Sequence, residues 1–353
     1  MKFDHFVVER PVNTKRTDTS LVVSVILLLG FGLLTLYFTS FDYGARFYSD
    51  SGHFLKQQLI SVAVGLVCMT VMICINLDWF RKFLPWILLG TIIINLLPFM
   101  PKIGAEINGG KRWFYVFSFT FQPSEVAKYV IVLFLANLFD KKKDRINDAA
   151  ACITPAMTIL FLFIGIVILQ NDYATSMIIL GLGLLMLFLS GVSLKWFGVF
   201  FVFSIPIALI FIFLEEYRVD RLIAFLKPEY DVKGVNFQVM NSKIAVSAGG
   251  FWGQGMGTGL EKIKNIPYVH ADFVFAGWSE GMGFLGVILF FCLIIYFGFR
   301  GYTVAFRCQD KFRSYVAFGL VTCIILQSLL NCGVVCGALP SKAIPLPFFN
   351  SGL

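Results

Sequence analysis

Residues 273–298 read FVFAGWSEGMGFLGVILFFCLIIYFG, and this stretch decides the fold class. As a helix it is long enough to cross a hydrocarbon core of about 30 Å. It carries one ionisable side chain, Glu280, and a second carboxylate, Asp272, stands immediately before it. Eight similar runs near 20 residues lie at 20–40, 57–77, 84–100, 124–139, 152–170, 173–190, 196–214 and 315–337, so nine spans are expected. Of the 353 residues, 58% are hydrophobic and 14% charged. A soluble domain carries about 25% charged residues. The fold class that follows is an all-α polytopic membrane protein. The first run has no small-residue cleavage site behind it, which makes it a span and not a signal peptide. Residues 1–19 then form an N-terminal segment and residues 20–353 a single membrane domain.

Charge sets the orientation. Lys2, Arg10, Lys15, Arg16, Arg81, Lys82, the 141–145 run, Lys195 and the basic residues between 300 and 313 fall on one side, 15 in all. The short loops opposite hold 6, among them Arg46, Lys111 and Arg112. The positive-inside rule assigns the first set, and with it the N-terminus, to the cytoplasm. The net charge of +8 has the same origin, and no nucleic-acid partner is expected. The 8 Cys lie mostly inside apolar runs and read as small buried hydrophobes, not disulfides.

Residues 215–271 make one long extracytoplasmic loop. Within it Phe237, Met240, Ile244 and Ala248 recur at helical spacing. That pattern predicts an amphipathic helix lying at the membrane surface. The glycine-rich stretch GGFWGQGMGTG (249–259) follows. Its G-x-G spacings come after no strand, so a dinucleotide fingerprint is rejected. Permissive backbone at membrane depth, lining a cavity, is the better reading.

The ionisable groups come next. NGGKRWFYVFSFTFQPSEVAKYV (108–130) sets Arg112 beside Trp113, a cation with an interfacial aromatic, and Pro123 where a helix can open. Glu125 and Lys128, three apart, share a helix face. Such groups inside a span cost about 2.5–3.5 kcal/mol each and mark functional sites, the plainer reading being a mutual ion pair. In LQNDYATSM (169–177), Asp172 is either a site residue or the cap of a helix starting near Tyr173. With Arg218, Arg221, Lys262 and Asp272, the outer face collects mixed charge. Its cations suit a phosphate-bearing amphiphile, and the rim carboxylate suits general-base work.

Four segments carry a family resemblance: NGGKRWF (108–114), QPSEVAK (122–128), the stretch from LIAFLKPEYDVKGVNFQ (222–238) to HADFVFAGWSEGMG (270–283), and NCGVVCGALP (331–340) with IPLPF (344–348). Together they resemble the SEDS family (shape, elongation, division and sporulation), and its FtsW branch more than its RodA branch. The resemblance implies a peptidoglycan glycosyltransferase of the bacterial cytoplasmic membrane. Such an enzyme joins lipid II disaccharides, with inversion, into undecaprenyl-pyrophosphate-linked glycan at the outer face. It works in cell division beside a class B penicillin-binding protein. Asp272 matches the family's catalytic carboxylate. Arg112, before Trp113, and Lys128 match its conserved cations. Trp113, Glu125, Asp172 and Lys262 are grouped with them as substrate-binding, and Gln122 and Glu280 as supporting residues. A divalent cation, Mg or Mn, is the cofactor to consider. The chain departs from the family pattern at Ala271 and Gly281, and Lys264 and Tyr268 stand where relatives carry acidic residues. It ends just after IPLPFFNSGL, so a tenth family helix is expected to be missing. Two other functions stay open, a lipid II flippase and a non-catalytic scaffold for the penicillin-binding protein.

Overall fold

A computed structural model of the chain describes residues 17–350, except 101–102, 108–109, 117–118, 214–215, 228, 232–233, 235, 258–262 and 268. The elements in chain order are α1 (Thr19–Tyr48), α2 (His53–Cys74), α3 (Leu77–Leu96), β1 (Gly104–Ile107), β2 (Gly110–Val116), β3 (Phe119–Phe121) and α4 (Pro123–Lys141). There follow α5 (Thr154–Leu169), α6 (Tyr173–Leu189), α7 (Leu194–Phe213), α8 (Glu216–Leu226), α9 (Phe237–Ala248), α10 (Val269–Asp272), α11 (Val274–Arg307) and α12 (Lys311–Val335).

Each of the nine apolar runs lies on a helix, α1 to α7, α11 and α12. Among the described residues, six helical stretches are long and apolar enough to cross a membrane, those of α1, α2, α3, α5, α11 and α12. α6 and the first part of α7 are shorter apolar helices. α4 spans 19 residues but carries Glu125, Lys128, Asp140 and Lys141. Its neighbours explain that tolerance. α4 packs on α3, α5 and α6, and Ala127, Ile131, Leu135 and Phe139 are fully buried. A helix enclosed by protein can carry polar groups that lipid would reject, because neighbouring groups satisfy them.

The all-α expectation needs one correction. β1, β2 and β3 form an antiparallel sheet, with Gly104 opposite Phe114 and Phe114 opposite Phe121. In sequence, Arg112 beside Trp113 reads as a cation with an interfacial aromatic. β2, GKRWFYV, has no apolar–polar alternation and β3 has only three residues, so periodicity announces neither. The cysteines also divide: Cys152, Cys323 and Cys332 are buried, but Cys68, Cys74, Cys292 and Cys336 are exposed.

Contacts gather the chain into two compact units. The first comprises the described parts of Met1–Leu21, Cys74–Phe200 and Gly298–Leu326; the second comprises Val22–Ile73, Phe201–Phe297 and Gln327–Leu353. In the first, ion pairs tie the basic ends of the helices: Arg81 to Asp140 at 2.6 Å, Arg300 to Asp18 at 2.5 Å and Arg313 to Asp78 at 3.3 Å.

The second unit turns on a break in α11. Gly283 has φ 63° and ψ −161°, so the 273–298 run is two helical pieces and not one. A break frees backbone groups that lipid cannot satisfy. The glycine-rich stretch satisfies them. Gln254 N–H donates to the Glu280 carbonyl at 2.9 Å and Gly255 N–H to that of Gly281 at 3.0 Å. In return Phe284 N–H donates to Gly250 at 2.9 Å and Leu285 N–H to Phe251 at 3.3 Å. The Trp278 indole spans the break and donates to the Gly286 carbonyl at 2.8 Å. A helix forms there as α9, with Met240 and Ile244 exposed, while Val239, Ser242 and Ala245 face inward. Ser242 donates to the Val335 carbonyl at 2.7 Å, which fastens α9 to the end of α12.

Candidate functional site

In the first unit the site residues gather around the start of α4. Pro123 sits in its first turn, where a missing N–H breaks no helical bond, and Gln122 is extended before it. Asp172, 2% exposed, opens α6. Its carboxylate accepts the Thr175 N–H at 3.3 Å, the Gln122 amide at 2.6 Å and the Ser124 hydroxyl at 2.9 Å. Asp172 thus caps α6 and fastens α4 to it. Three donors converge on this carboxylate, which solvent hardly reaches, and the cap foreseen at Tyr173 is formed. Two amides extend this buried network. Asn95 donates to the Thr91 and Pro123 carbonyls at 2.9 and 3.4 Å, and Gln170 donates to the Asn95 carbonyl at 2.5 Å. Sequence reading passed over Asn95 and Ser124, though a buried amide in an apolar run was the available signal for Asn95.

Lys128 has a fully buried side chain and pairs with Glu125 at 2.8 Å across one turn of α4. The Glu125 side chain is 35% exposed, so the pair has an inner cation and an outer anion. Arg112 lies on β2, and its Nε is buried with no acceptor among the described residues. Adjacent strand residues point to opposite faces, so Arg112 and Trp113 do not form the single cation–aromatic unit that their adjacency suggests.

In the second unit Asp272 closes the short helix α10, and Phe273 interrupts the helix before α11 begins. Asp272 and Glu280 therefore lie on separate helices, α10 and α11. The Asp272 side chain is half-buried. Its backbone carbonyl accepts from Asn331 at 2.8 Å, and the same amide donates to the Ile344 carbonyl at 2.6 Å. Asn331 is 1% exposed on α12, so α12 and the 344–350 segment hold the end of α10 in place. Asn331 was missed from sequence, although an Asn within the 315–337 run is a polar group that lipid would penalise. Glu280 is 1% exposed, and its carboxylate accepts the Ile263 N–H at 3.0 Å. It therefore clamps the loop just ahead of α10. Lys262 and Tyr268 lie outside the described residues. Among the described residues, no group of three or more His, Cys, Asp or Glu side chains gathers as metal ligands.

The chain matches a family model described as Cell cycle protein, covering FtsW, RodA and SpoVE, over residues 19–352. It is 32% identical over 346 residues to a probable peptidoglycan glycosyltransferase FtsW of Trichlorobacter lovleyi, covering 98% of this chain and 91% of the relative. It is 30% identical over 343 residues to the stage V sporulation protein E of Bacillus subtilis, covering 97% and 94%. Among solved structures it is similar to a chain in a peptidoglycan synthase complex, at TM-score 0.76 and 22% identity, covering 95% of this chain and 92% of that one. It is also similar to the rod shape determining protein RodA of Thermus thermophilus, at TM-score 0.70 and 20% identity, covering 96% and 92%.

Proposed function

Because the chain belongs to the FtsW, RodA and SpoVE family of cell cycle proteins, we propose that it is a peptidoglycan glycosyltransferase. It extends glycan strands from lipid II at the outer face of the bacterial cytoplasmic membrane, in cell division, with a class B penicillin-binding protein. The observation that carries this reading is the contrast between two carboxylates. Glu280 is buried and accepts a backbone N–H, while Asp272 is half-buried at a helix break whose backbone Asn331 holds. A general base must be both held in place and reachable, and Asp272 is the one that meets both conditions.

The chemistry follows from the substrate. The 4-hydroxyl of an acceptor GlcNAc attacks the anomeric carbon of a MurNAc that carries pyrophosphate. Asp272 removes the hydroxyl proton, a contribution of about 10²–10⁴-fold. The bond from the anomeric carbon to the pyrophosphate oxygen breaks as the new glycosidic bond forms on the opposite side, so configuration inverts. Polyprenyl pyrophosphate leaves without needing a second carboxylic acid, unlike the sugar leaving group of glycoside hydrolysis. Its charge calls for cations, and within the first unit the buried Nε of Arg112 has a donor to give. A divalent cation, held by one or two carboxylates and the substrate's own phosphates, would also answer that charge. No step is routed through one.

The test uses purified protein with its penicillin-binding partner and lipid II, with glycan chains resolved on gels. Asp272→Asn should keep the fold, judged by melting temperature, and lose polymer by at least about 100-fold. Polymer at near the parental rate would falsify the base assignment. Transport of lipid II across vesicles by an Asp272→Asn variant that makes no polymer would favour the flippase reading instead.

A further inference from the structure

We propose that a groove between α3 and α4, at the basic end of the first unit, binds the headgroup of an anionic phospholipid of the glycerol phosphodiester class. Its volume is about 480 Å³, within the range of small-molecule sites. It is lined by Asp78, Arg81, Lys82, Leu84, Pro85 and Leu88 from α3 and by Phe134, Asn137 and Lys141 from α4. None of these residues has a role in the proposed reaction.

The groove is graded from charged to apolar. On α3, Asp78, Arg81, Lys82, Pro85 and Leu88 recur at helical spacing along one face. On α4, Phe134, Asn137 and Lys141 do the same. At 1.5 Å per residue, Leu88 lies about 9 Å beyond Lys82, and Phe134 about 10 Å beyond Lys141. Both stripes therefore pass from cation to hydrocarbon over the same short distance, as a lipid does from phosphate to acyl chain.

The charges do not cancel. Asp140 is answered by Arg81 at 2.6 Å and Asp78 by Arg313 at 3.3 Å. Lys82 and Lys141 have no carboxylate within ion-pair distance among the described residues, so two cations face the groove without an anion. The groove also holds acceptors in need of donors. Asn137 Oδ1 is buried and has no partner among the described residues. Pro85, inside α3, removes the N–H that would bond the Arg81 carbonyl. A phosphodiester answers the lysines, headgroup hydroxyls answer the two acceptors, and Leu84, Leu88 and Phe134 receive the start of the acyl chains. Phosphatidylglycerol supplies all three. Phosphatidylcholine lacks the hydroxyl donors and the net charge, and a free phosphate leaves the apolar end empty. Basic pockets between membrane helices on the cytoplasmic side are a recurring form of lipid headgroup site.

The test counts lipids retained by the full-length purified protein in native mass spectrometry, during titration with phosphatidylglycerol or phosphatidylcholine of the same chains. A third arm adds glycerol phosphate as competitor. Phosphatidylglycerol should bind, phosphatidylcholine should not, and glycerol phosphate should fail to displace it. Lys82→Gln with Lys141→Gln should weaken binding about 25-fold, and either change alone about 5-fold, so the single variants serve if the pair misfolds. The charge-matched pair Lys142→Gln with Lys143→Gln, which does not line the groove, should bind like the parent. Equal losses in both pairs would mean general surface attraction and overturn the site. Displacement by glycerol phosphate would overturn the lipid assignment.

Discussion

Gly283→Ala should break the junction between α11 and the glycine-rich stretch. Gly283 holds φ 63° and ψ −161°, a backbone region open essentially to glycine alone. A Cβ there would lie 2.3 Å from Gly253 N and 2.8 Å from the Phe251 carbonyl oxygen, both backbone atoms of the opposing loop. The loop must move, and four hydrogen bonds between residues 250–255 and 280–285 depend on its position. Backbone strain of about 1–3 kcal/mol, with two of those bonds lost at about 1 kcal/mol each, gives roughly 4 kcal/mol. For a chain of 353 residues that corresponds to a melting temperature lower by about 5 °C. Polymerisation should fall as well, because the Glu280 carbonyl is one of the acceptors. The assay is thermal unfolding in mild detergent, with Gly65→Ala on α2 as the control. A Cβ at Gly65 meets nothing within 4 Å, so that change should be neutral or stabilise by up to about 1 kcal/mol. If Gly283→Ala melts within about 2 °C of the parent, the break is not what this packing holds, and the reasoning fails.

Asp172→Ala should cost about 2–4 kcal/mol, since it removes a helix cap and leaves the Gln122 and Ser124 donors facing a gap. Asp172→Asn keeps one acceptor oxygen and should recover part of that loss; an Ala variant as stable as the parent would show that the α4–α6 junction does not need it. The pH dependence centres on Asp18, just before α1. Burial raises its carboxyl pKa, but the Leu21 N–H and the Arg300 guanidinium outweigh burial and hold it below the usual carboxylate range. A folded pKa lowered in this way adds stability above the unfolded value of about 3.9 and loses it as pH falls through the folded one. Asp18→Asn should therefore melt below the parent at pH 7, and the gap should close as pH drops below about 4. A gap independent of pH would refute the assignment.

The positions of the helices were legible because the membrane makes them so. Backbone in hydrocarbon must satisfy its own hydrogen bonds, so a run near 20 apolar residues has few alternatives to a helix. All nine runs lie on helices, and Pro123 opens α4 where its chemistry suggests. The ionisable residues of the site stood out for the same reason, as groups that lipid penalises. Their partners did not. Asp172 meets Gln122 across 50 residues, Glu280 meets Ile263 across 17, and Asn331 reaches the Asp272 carbonyl across 59. Periodicity is a local signal and carries no information about such pairings. The break at Gly283 escaped for a related reason. Glycine permits a left-handed turn but does not require one, and a continuous helix through 273–298 satisfies its backbone equally well in isolation. Only the loop at residues 250–255, which offers donors and acceptors to the freed groups, makes the broken form the stable one. Tertiary structure thus decided which carboxylate is clamped and which stays reachable. The sequence by itself had already set Asp272 at the start of an apolar run and Glu280 within it.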